Sequence, residues 1–327
     1  METRAIGTSG IRASVVGLGC NNFGIFQDPA QATACVHAAL DAGITFFDMA
    51  AEHGQGLEES LVADALGTRR TDVVIATKFG QAELLGRNPD GSLRMSDDKA
   101  RQGASRRWIM QAVEESLTRL KSDYIDLYQP HVIDADVPRE ETLRALEDLV
   151  RSGKVRAIGE AATFAGADDL VTSLDLQTAC GFTPFVSMES HYNLLVRDAE
   201  RAIIPALRSR GMSLLPYFPL ANGLLTGKYH ADATHPVGSR YAKIPALKGF
   251  LDPAHHWAKV EALRACAVAR GITMVELAIG WLLSEPVVAS VIAGATTPEQ
   301  VRQNAAAERV VLSQADRAEI DRVLQSV

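Results

Sequence analysis

The sequence predicts a single α/β domain over residues 1–327, folded as a closed (β/α)₈ barrel, the TIM barrel. Two observations carry this prediction. Short apolar runs rich in β-branched residues alternate with longer segments of helical period, as in repeated βα units around a parallel sheet. There are eight such runs, and eight strands with a similar number of helices suit a barrel of about 250 residues that tolerates insertions.

Each predicted strand is an apolar run that is followed by a candidate helix. In chain order the runs are Ala13–Gly19, Ile44–Ala50, Val73–Phe79, Tyr124–His131, Val155–Ala161, Phe185–His191, Met212–Phe218 and Val287–Ala295.

Five stretches between these runs have apolar residues at helical spacing and end in glycine or in a cation-rich last turn. The first of them places Ala32, Cys35 and Val36 on one face. The predicted helices are Gln31–Asp41, Ile109–Leu120, Glu140–Ser152, Ala199–Arg210 and Val260–Arg270.

A doubly wound parallel sheet is the alternative architecture. It would need a G-x-G-x-x-G segment that opens a helix directly after the first strand. Residues 17–24 read GLGCNNFG, which has a different spacing and is not followed at once by a helix. Two stretches, residues 81–105 and 229–253, exceed ordinary loop length, and in a barrel we expect them to form lids or substrate walls.

Composition and charge exclude several classes of function. Hydrophobic residues make up 47% of the chain and charged residues 22%, which is typical of a globular protein with a sizeable core. The net charge of −7 and the lack of a Lys/Arg-rich block argue against nucleic acid as a partner. The four cysteines are far apart and the N-terminus has no apolar stretch, so we expect a cytoplasmic protein without a signal peptide or a membrane span.

Polar residues at the carboxyl ends of barrel strands are candidates for chemistry because these ends share one mouth. The most informative is Lys78, since an ammonium at the end of an apolar strand must be paired or functional. Asp48, at the end of the neighbouring strand, is the expected counter-ion, and the ammonium would lower the pKa of an adjacent acid. The full set is Asp48, His53, Lys78, His131, Glu160, Glu189 and Tyr217.

Structural roles stay open for several of these residues. Lys78 could be one half of a purely structural ion pair, and His131 could be a core histidine whose hydrogen bonds are satisfied. Glu160 and Glu189 could be solvated carboxylates at the rim. The sequence has no cluster with metal-ligand spacing, no G-x-S-x-G segment and no phosphate-binding G-x-x-x-x-G-K-S/T segment, so no metal site is expected.

Five segments, in order, resemble the signatures of the aldo-keto reductases, (β/α)₈ enzymes that use NAD(P)H without a Rossmann fold. GITFFDMAAEHGQGLEE is similar to G-I-T-x-F-D-T-A-x-x-Y-G-x-G-x-S-E, and SLTRLKSDYIDLYQPH to S-L-x-R-L-x-x-D-Y-I-D-L-Y-x-x-H. VIATKFG resembles the lysine strand of the family, and LLPYFPLANGLLTGKY its Y-S-P-L-x-x-G-x-L-T-G-K segment. VIAGATTPEQVRQNAAA resembles the final cofactor segment. The resemblance covers essentially the whole chain.

The resemblance implies a catalytic tetrad of Asp48, His53, Lys78 and His131, in which His53 stands where the family has a proton-donating tyrosine. It implies NADP(H) as cofactor. NAD(H) is also possible, because Gln300 stands where many members have an arginine on the 2′-phosphate. The implied cofactor residues are Asn22, Phe23, Glu189, Tyr217, Phe218, Pro219, Leu220, Lys228, Gly294, Thr296, Gln300, Gln303 and Asn304.

The departures from the family pattern surround the expected nicotinamide. Besides His53, the Ser and Asn that hold the carboxamide in the family are replaced by Ala161 and Ala162, and the third contact, a Gln, is Glu189. Each lost hydrogen-bond partner costs about 1 to 3 kcal/mol unless another group compensates. A protonated His53 beside Glu189 and Asp48 could still act as an acid.

Three functions are therefore compatible with the sequence. The first is an oxidoreductase that reduces a carbonyl or oxidises an alcohol of a small molecule, with His53 as the acid, Lys78 and Asp48 tuning it, and His131 orienting the oxygen. The second is a non-redox acid/base enzyme on the same barrel, such as a lyase, dehydratase or epimerase. The third is a cofactor-binding regulatory subunit, as some proteins of this type dock on channels. The sequence carries no signal for the substrate's identity or for an oligomeric state.

Overall fold

The computed structural model describes residues 1–87, 93–162, 165–230 and 253–327. Eight parallel strands surround a common core. They are β1 (Val16–Gly19), β2 (Phe46–Asp48), β3 (Val74–Phe79), β4 (Ile125–Pro130), β5 (Val155–Ile158), β6 (Ser187–His191), β7 (Ser213–Tyr217) and β8 (Val291–Gly294).

The strands close into a barrel. Six of them pair in the order β8-β1-β2-β3-β4-β5, and β6 pairs with β7. Single bridges join the two groups, Glu160 to Met188 on one side and Leu214 to Val288 on the other. The predicted (β/α)₈ barrel is therefore confirmed, and the doubly wound alternative is wrong because such a sheet keeps two open edges.

Ten α-helices occur within the described ranges. They are α1 (Pro29–Asp41), α2 (Leu57–Leu66), α3 (Arg106–Leu120), α4 (Arg139–Arg151), α5 (Ala167–Cys180), α6 (Ile203–Arg210), α7 (Trp257–Ala269), α8 (Met274–Leu283), α9 (Pro298–Ala306) and α10 (Gln314–Gln325). No single one of them is long and apolar enough to cross a membrane, and α7 with α8 reaches that length only as a pair bent by 90°.

Local capping signals explain where two of these helices begin. The Asp28 carboxylate caps α1 by accepting a bond from the backbone N–H of Gln31, and the side-chain oxygen of Gln31 accepts one from the backbone N–H of Asp28. α9 begins with Pro298 at its first position, and the Thr297 hydroxyl caps it. The start of α9 directly follows β8, so the barrel mouth includes the first turn of this helix.

Two antiparallel hairpins change the predicted boundaries. The first predicted run, Ala13–Gly19, is split: Arg12–Ser14 pairs with Thr3–Ala5, and only Val16–Gly19 belongs to the barrel. Within residues 81–105, expected to be one long loop, Leu84–Arg87 pairs with Leu93–Met95. The other predicted loop, residues 229–253, lies almost wholly outside the described residues, because residues 231–252 are not among them.

Candidate active site

The carboxyl ends of the strands open into a cleft of about 710 Å³. The four residues predicted to be catalytic, Asp48, His53, Lys78 and His131, all line it. Phe23 does not, because it is completely buried in the core. The other residues predicted for the cofactor that line the cleft are Asn22, Glu189, Tyr217, Phe218, Pro219, Leu220, Lys228, Gly294, Thr296, Gln300, Gln303 and Asn304.

Lys78 lies at the floor of the cleft between two carboxyl groups. Its Nζ is 2.6 Å from Oδ1 of Asp48 and 3.1 Å from Oε1 of Glu189, and it donates a further bond to the Met49 carbonyl at 3.1 Å. Asp48 is therefore the counter-ion that the sequence predicts, and Glu189 is a second partner that it did not indicate. Burial opposes the charged ammonium, but the two carboxyl groups outweigh it and raise the pKa of Lys78.

Glu189 stands where the resemblance implied a neutral amide. Burial, followed by the nearby Asp48 carboxylate, raises the pKa of Glu189 to about 8. Gln129 donates a 2.5 Å bond from Nε2 to Oε1 of Glu189. Glu189 therefore holds a proton more tightly than an exposed glutamate does, and Lys78 and Asp48 form the closer ion pair beside it.

His53 has a partner that the sequence did not indicate. Its Nδ1 is 2.6 Å from Oε2 of Glu58, whose side chain is completely buried. The expected neighbours, Asp48 and Glu189, bind Lys78 instead. Burial lowers the pKa of His53, but the Glu58 carboxylate more than offsets this and the pKa rises to about 9.

His131 forms a second pair of the same kind. Its Nδ1 makes a short hydrogen bond with Oε1 of Glu52, a residue that is 4% exposed. Burial opposes ionisation of Glu52, but the attraction of His131 outweighs it and lowers the pKa of this carboxyl. The His53 and His131 rings lie 6.4 Å apart, centroid to centroid, at 80°. Two imidazoles, each with Nδ1 bound to a carboxyl group, therefore face one end of the cleft.

Three aromatic rings form the wall next to Glu189. The Tyr217 ring stacks on the His191 ring with centroids 5.5 Å apart and an angle of 19°. Phe218 meets Tyr217 edge-on at 5.2 Å. Burial, then the nearby Glu189, raises the pKa of the Tyr217 phenol to about 12, so this ring stays neutral at physiological pH.

Glu160 does not point into the mouth as expected. It lies behind the cleft at 4% exposure, and its Oε1 accepts a 2.9 Å bond from the Ala162 amide. Burial raises the pKa of Glu160 to about 7. The side chain thus stabilises the turn after β5, at the place where Ala161 and Ala162 replace the two polar residues of the family.

The loop after β7 forms another part of the cleft wall. Asn222 lines the cleft there at 4% exposure, and both atoms of its side-chain amide are buried without a hydrogen-bond partner among the described residues. Phe218, Ala221 and Asn222 have φ of 51°, 49° and 56°, a backbone conformation that costs energy and persists mainly at functional sites. The buried amide and the strained loop are consistent with the dinucleotide that the resemblance implies.

Gln300 lines the cleft from the first turn of α9. Its Oε1 accepts bonds from the amide and the hydroxyl of Thr296, at 2.8 and 3.1 Å. The carbonyl end of this side chain therefore fixes the loop before the helix. The position itself brings no positive charge to the cleft.

Five residues of the site were missed in the sequence: Glu52, Glu58, Gln129, His191 and Asn222. His191 carried a usable signal, because it lies two residues after Glu189 in the same strand and so faces the same side. Glu58 also carried one, since it stands where the strand-2 signature has serine, close to the unusual His53.

Comparisons with known proteins agree with this geometry. A family model described as the aldo/keto reductase family matches residues 15–325. The chain is 32% identical to a versiconal hemiacetal acetate reductase of Aspergillus parasiticus, and the match covers 96% of this chain and 94% of that protein. It is 35% identical to a probable voltage-gated potassium channel subunit beta of Oryza sativa subsp. japonica, and that match covers 95% of this chain and 92% of the relative. Its structure matches the holo form of an aldo-keto reductase from Bacillus halodurans with a TM-score of 0.76 and 29% identity, covering 99% and 96% of the two chains.

Proposed function

We propose that this chain reduces a small-molecule carbonyl, or oxidises the corresponding alcohol, with His53 as the proton donor. The chain belongs to the aldo/keto reductase family and is an NAD(P)-dependent oxidoreductase. One observation supports the proposal most strongly. His53, Lys78 and His131 line the same cleft as 12 of the 13 residues implied for the dinucleotide.

When bound, the dinucleotide supplies a hydride to the substrate's carbonyl carbon. His53 then supplies the proton that the carbonyl oxygen requires. Because Glu58 occupies Nδ1 of His53, the proton available to a ligand in the cleft is the one on Nε2. His131 is held by Glu52 in the same way, which leaves its Nε2 for the substrate, and we assign to it the orientation of the oxygen. Because Nδ1–H is donated to Glu52, Nε2 accepts a hydrogen bond from the alcohol when the ring is neutral and donates one to the carbonyl only when the ring carries both protons.

Lys78 and Asp48 act on the electrostatics of this end of the cleft. Their paired charges lie at the floor, and the ammonium there slightly opposes protonation of His53. A cation at this position stabilises the negative charge that develops on the carbonyl oxygen before the proton arrives. We assign this role to Lys78, with Asp48 and Glu189 holding it in place.

The proposed cofactor is NADP(H), with NAD(H) as a possible substitute. Tyr217 offers a ring face for the nicotinamide, while Lys228, Thr296 and Asn304 line the part of the cleft assigned to the phosphates and the adenosine. The absence of a cation at Gln300 weakens discrimination between the two dinucleotides, because a neutral amide binds a phosphate less strongly than a guanidinium does.

Calorimetry with NADPH and with 2′-phospho-ADP-ribose tests the cofactor assignment. We expect both ligands to bind. Tyr217→Ala should weaken the binding of NADPH about 5- to 10-fold, because it removes an aromatic stack worth about 1 to 1.5 kcal/mol, and should not change the affinity for 2′-phospho-ADP-ribose, which has no nicotinamide. The lack of heat with both ligands at high micromolar concentration would remove the cofactor claim. NADPH oxidation with a panel of aldehydes and ketones then tests the reaction.

A further inference from the structure

Position 58 is unusual in the same way as position 53. In the strand-2 signature these positions are serine and tyrosine, and here they are Glu58 and His53, whose side chains bind each other. We propose that Glu58 is a positioning residue that acts through His53, holding Nδ1 so that Nε2–H faces the substrate, and that the two residues function only as a pair. This inference rests on the proposed function, in which His53 donates the proton.

The geometry of the pair leaves the imidazole one orientation. Glu58 lies in the first turn of α2, its side chain is 0% exposed, and its Oε2 is 2.6 Å from Nδ1 of His53. His53 is 24% exposed and lines the cleft. One ring nitrogen is therefore fixed against a buried group, and the opposite nitrogen is the one left for a ligand.

Each member of the pair depends on the other. The second carboxyl oxygen of Glu58, Oε1, is buried and has no hydrogen-bond partner among the described residues. Replacing His53 alone would leave the buried Glu58 carboxyl without the one hydrogen-bond partner that it has in the described part of the chain, which is costly. Replacing Glu58 alone would leave His53 without the group that orients it.

Several other titratable groups face the pair. Glu52 adds to the attraction that keeps His53 protonated, whereas Lys78 opposes it. Burial, and to a smaller extent Asp48, raises the pKa of Glu58 to about 7 against the attraction of His53. The groups that face the pair from the surrounding segments are Cys20, Asp48, Glu52, Lys78 and His131.

These charges explain why an imidazole needs a carboxylate here. A phenol has an unperturbed pKa of about 10 and stays protonated at neutral pH, whereas an unperturbed imidazole at about 6.5 does not. The Glu58 carboxylate keeps the proton on His53 through the neutral range. The pair thus supplies a proton donor that lasts to alkaline pH, as a tyrosine would.

NMR titration of the His53 ring tests the pairing without any need for activity, and the His53→Asn spectrum assigns the resonance. We expect a midpoint near 9 in the wild type and at or below 6.5 in Glu58→Gln, with an intermediate value in Glu58→Asp, which keeps the charge at a shorter reach. An unchanged His53 midpoint in Glu58→Gln would overturn the proposal. If Glu58→Gln does not fold, an unchanged midpoint in Glu58→Asp would overturn it in the same way.

Glu59→Gln is the matched control. Glu59 is the adjacent residue and is equally buried, but its carboxylate binds Arg119 and Thr77, each at 2.6 Å. It does not line the cleft. We therefore expect this variant to lose stability without moving the His53 midpoint. A shift as large as that of Glu58→Gln would mean that the midpoint reports general loosening of α2, and would contradict the proposal.

Activity measurements test the coupling. In Glu58→Gln the alkaline limit of kcat/KM should move down with the NMR midpoint, and kcat should fall at least 10-fold with little change in KM. The double variant His53→Tyr with Glu58→Ser should have a kcat/KM about 10-fold or more above that of His53→Tyr alone. If the effects of the two substitutions on kcat/KM are simply additive in free energy, the pairing is contradicted. If the NMR shift is found but no carbonyl is reduced, the pair stands and the proposed function fails.

Discussion

Replacing Lys78 by methionine removes the cation at the floor of the cleft and keeps most of the side-chain volume. Three groups lose a bond: Asp48 at 2.6 Å, and Glu189 and the Met49 carbonyl at 3.1 Å. Breaking a buried ion pair by removing one partner costs about 3 to 5 kcal/mol. The barrel should fold, since the loss is smaller than the total stability of most domains.

The size of this loss should depend on pH. Without the cation, Glu189 loses the attraction that lowers its pKa, so its folded pKa rises further above the value in the unfolded chain. A raised carboxyl pKa gives stability that is present at low pH and is lost as pH rises through the folded value. One extra bound proton changes stability by about 1.4 kcal/mol per pH unit. We therefore expect Lys78→Met to lose about 3 kcal/mol of stability at pH 6 and about 5 kcal/mol at pH 8.

Urea denaturation of the wild type and of Lys78→Met at the two pH values measures this difference. The double variant Lys78→Met with Asp48→Asn is the control, because it removes the unpaired charge and should recover most of the stability at pH 8. Turnover should be lost in both variants. A stability loss that is the same at both pH values would refute the electrostatic argument, and more than a tenth of wild-type activity in Lys78→Met would refute its catalytic role.

The remaining predictions concern three other positions. His53→Tyr should leave Glu58 buried and unpaired, so kcat/KM should fall at neutral pH, and its pH profile should extend to higher pH; a profile identical to the wild type would show that His53 takes no part in proton transfer. Glu160→Gln should stabilise the fold at pH 8 by up to about 3 kcal/mol and have little effect at pH 5, because burial raises the pKa of this carboxyl to about 7 and stability is lost as pH rises through that value. Equal effects in denaturation curves at the two pH values would contradict this. Gln300→Arg should tighten NADPH about 10-fold or more without tightening NADH, as titration of both cofactors would show.

The number and order of the barrel strands could be predicted because each strand is an apolar run long enough to show β-branched enrichment. The two hairpins could not, since Thr3–Ala5 and Arg12–Ser14 are three residues each and carry no periodic signal. The observed strands are also shorter than the apolar runs. β8, for example, is Val291–Gly294 within a run that starts at Val287, because hydrophobic residues continue into the loops that pack on the core.

The pairing of Lys78 with Asp48 could be predicted because neighbouring parallel strands end side by side. The pairing of His53 with Glu58 could not be predicted from spacing, although both residues depart from the strand-2 signature, since a regular helix would not bring residues five positions apart to one face. It depends on the turn between them, in which Gly54, Gln55 and Gly56 all have positive φ. Such a backbone reversal depends on tertiary packing and is not visible in residue spacing.

Transfer of deuterium from NADPH labelled on the reactive face of nicotinamide C4 to an aldehyde substrate tests the central claim most directly. Oxidoreduction with His53 as the acid predicts deuterium on the carbinol carbon of the product, with a rate that falls as pH rises through about 9, because the proton on His53 is lost there. A product without deuterium, or a rate that rises with pH through the same range, would contradict the account.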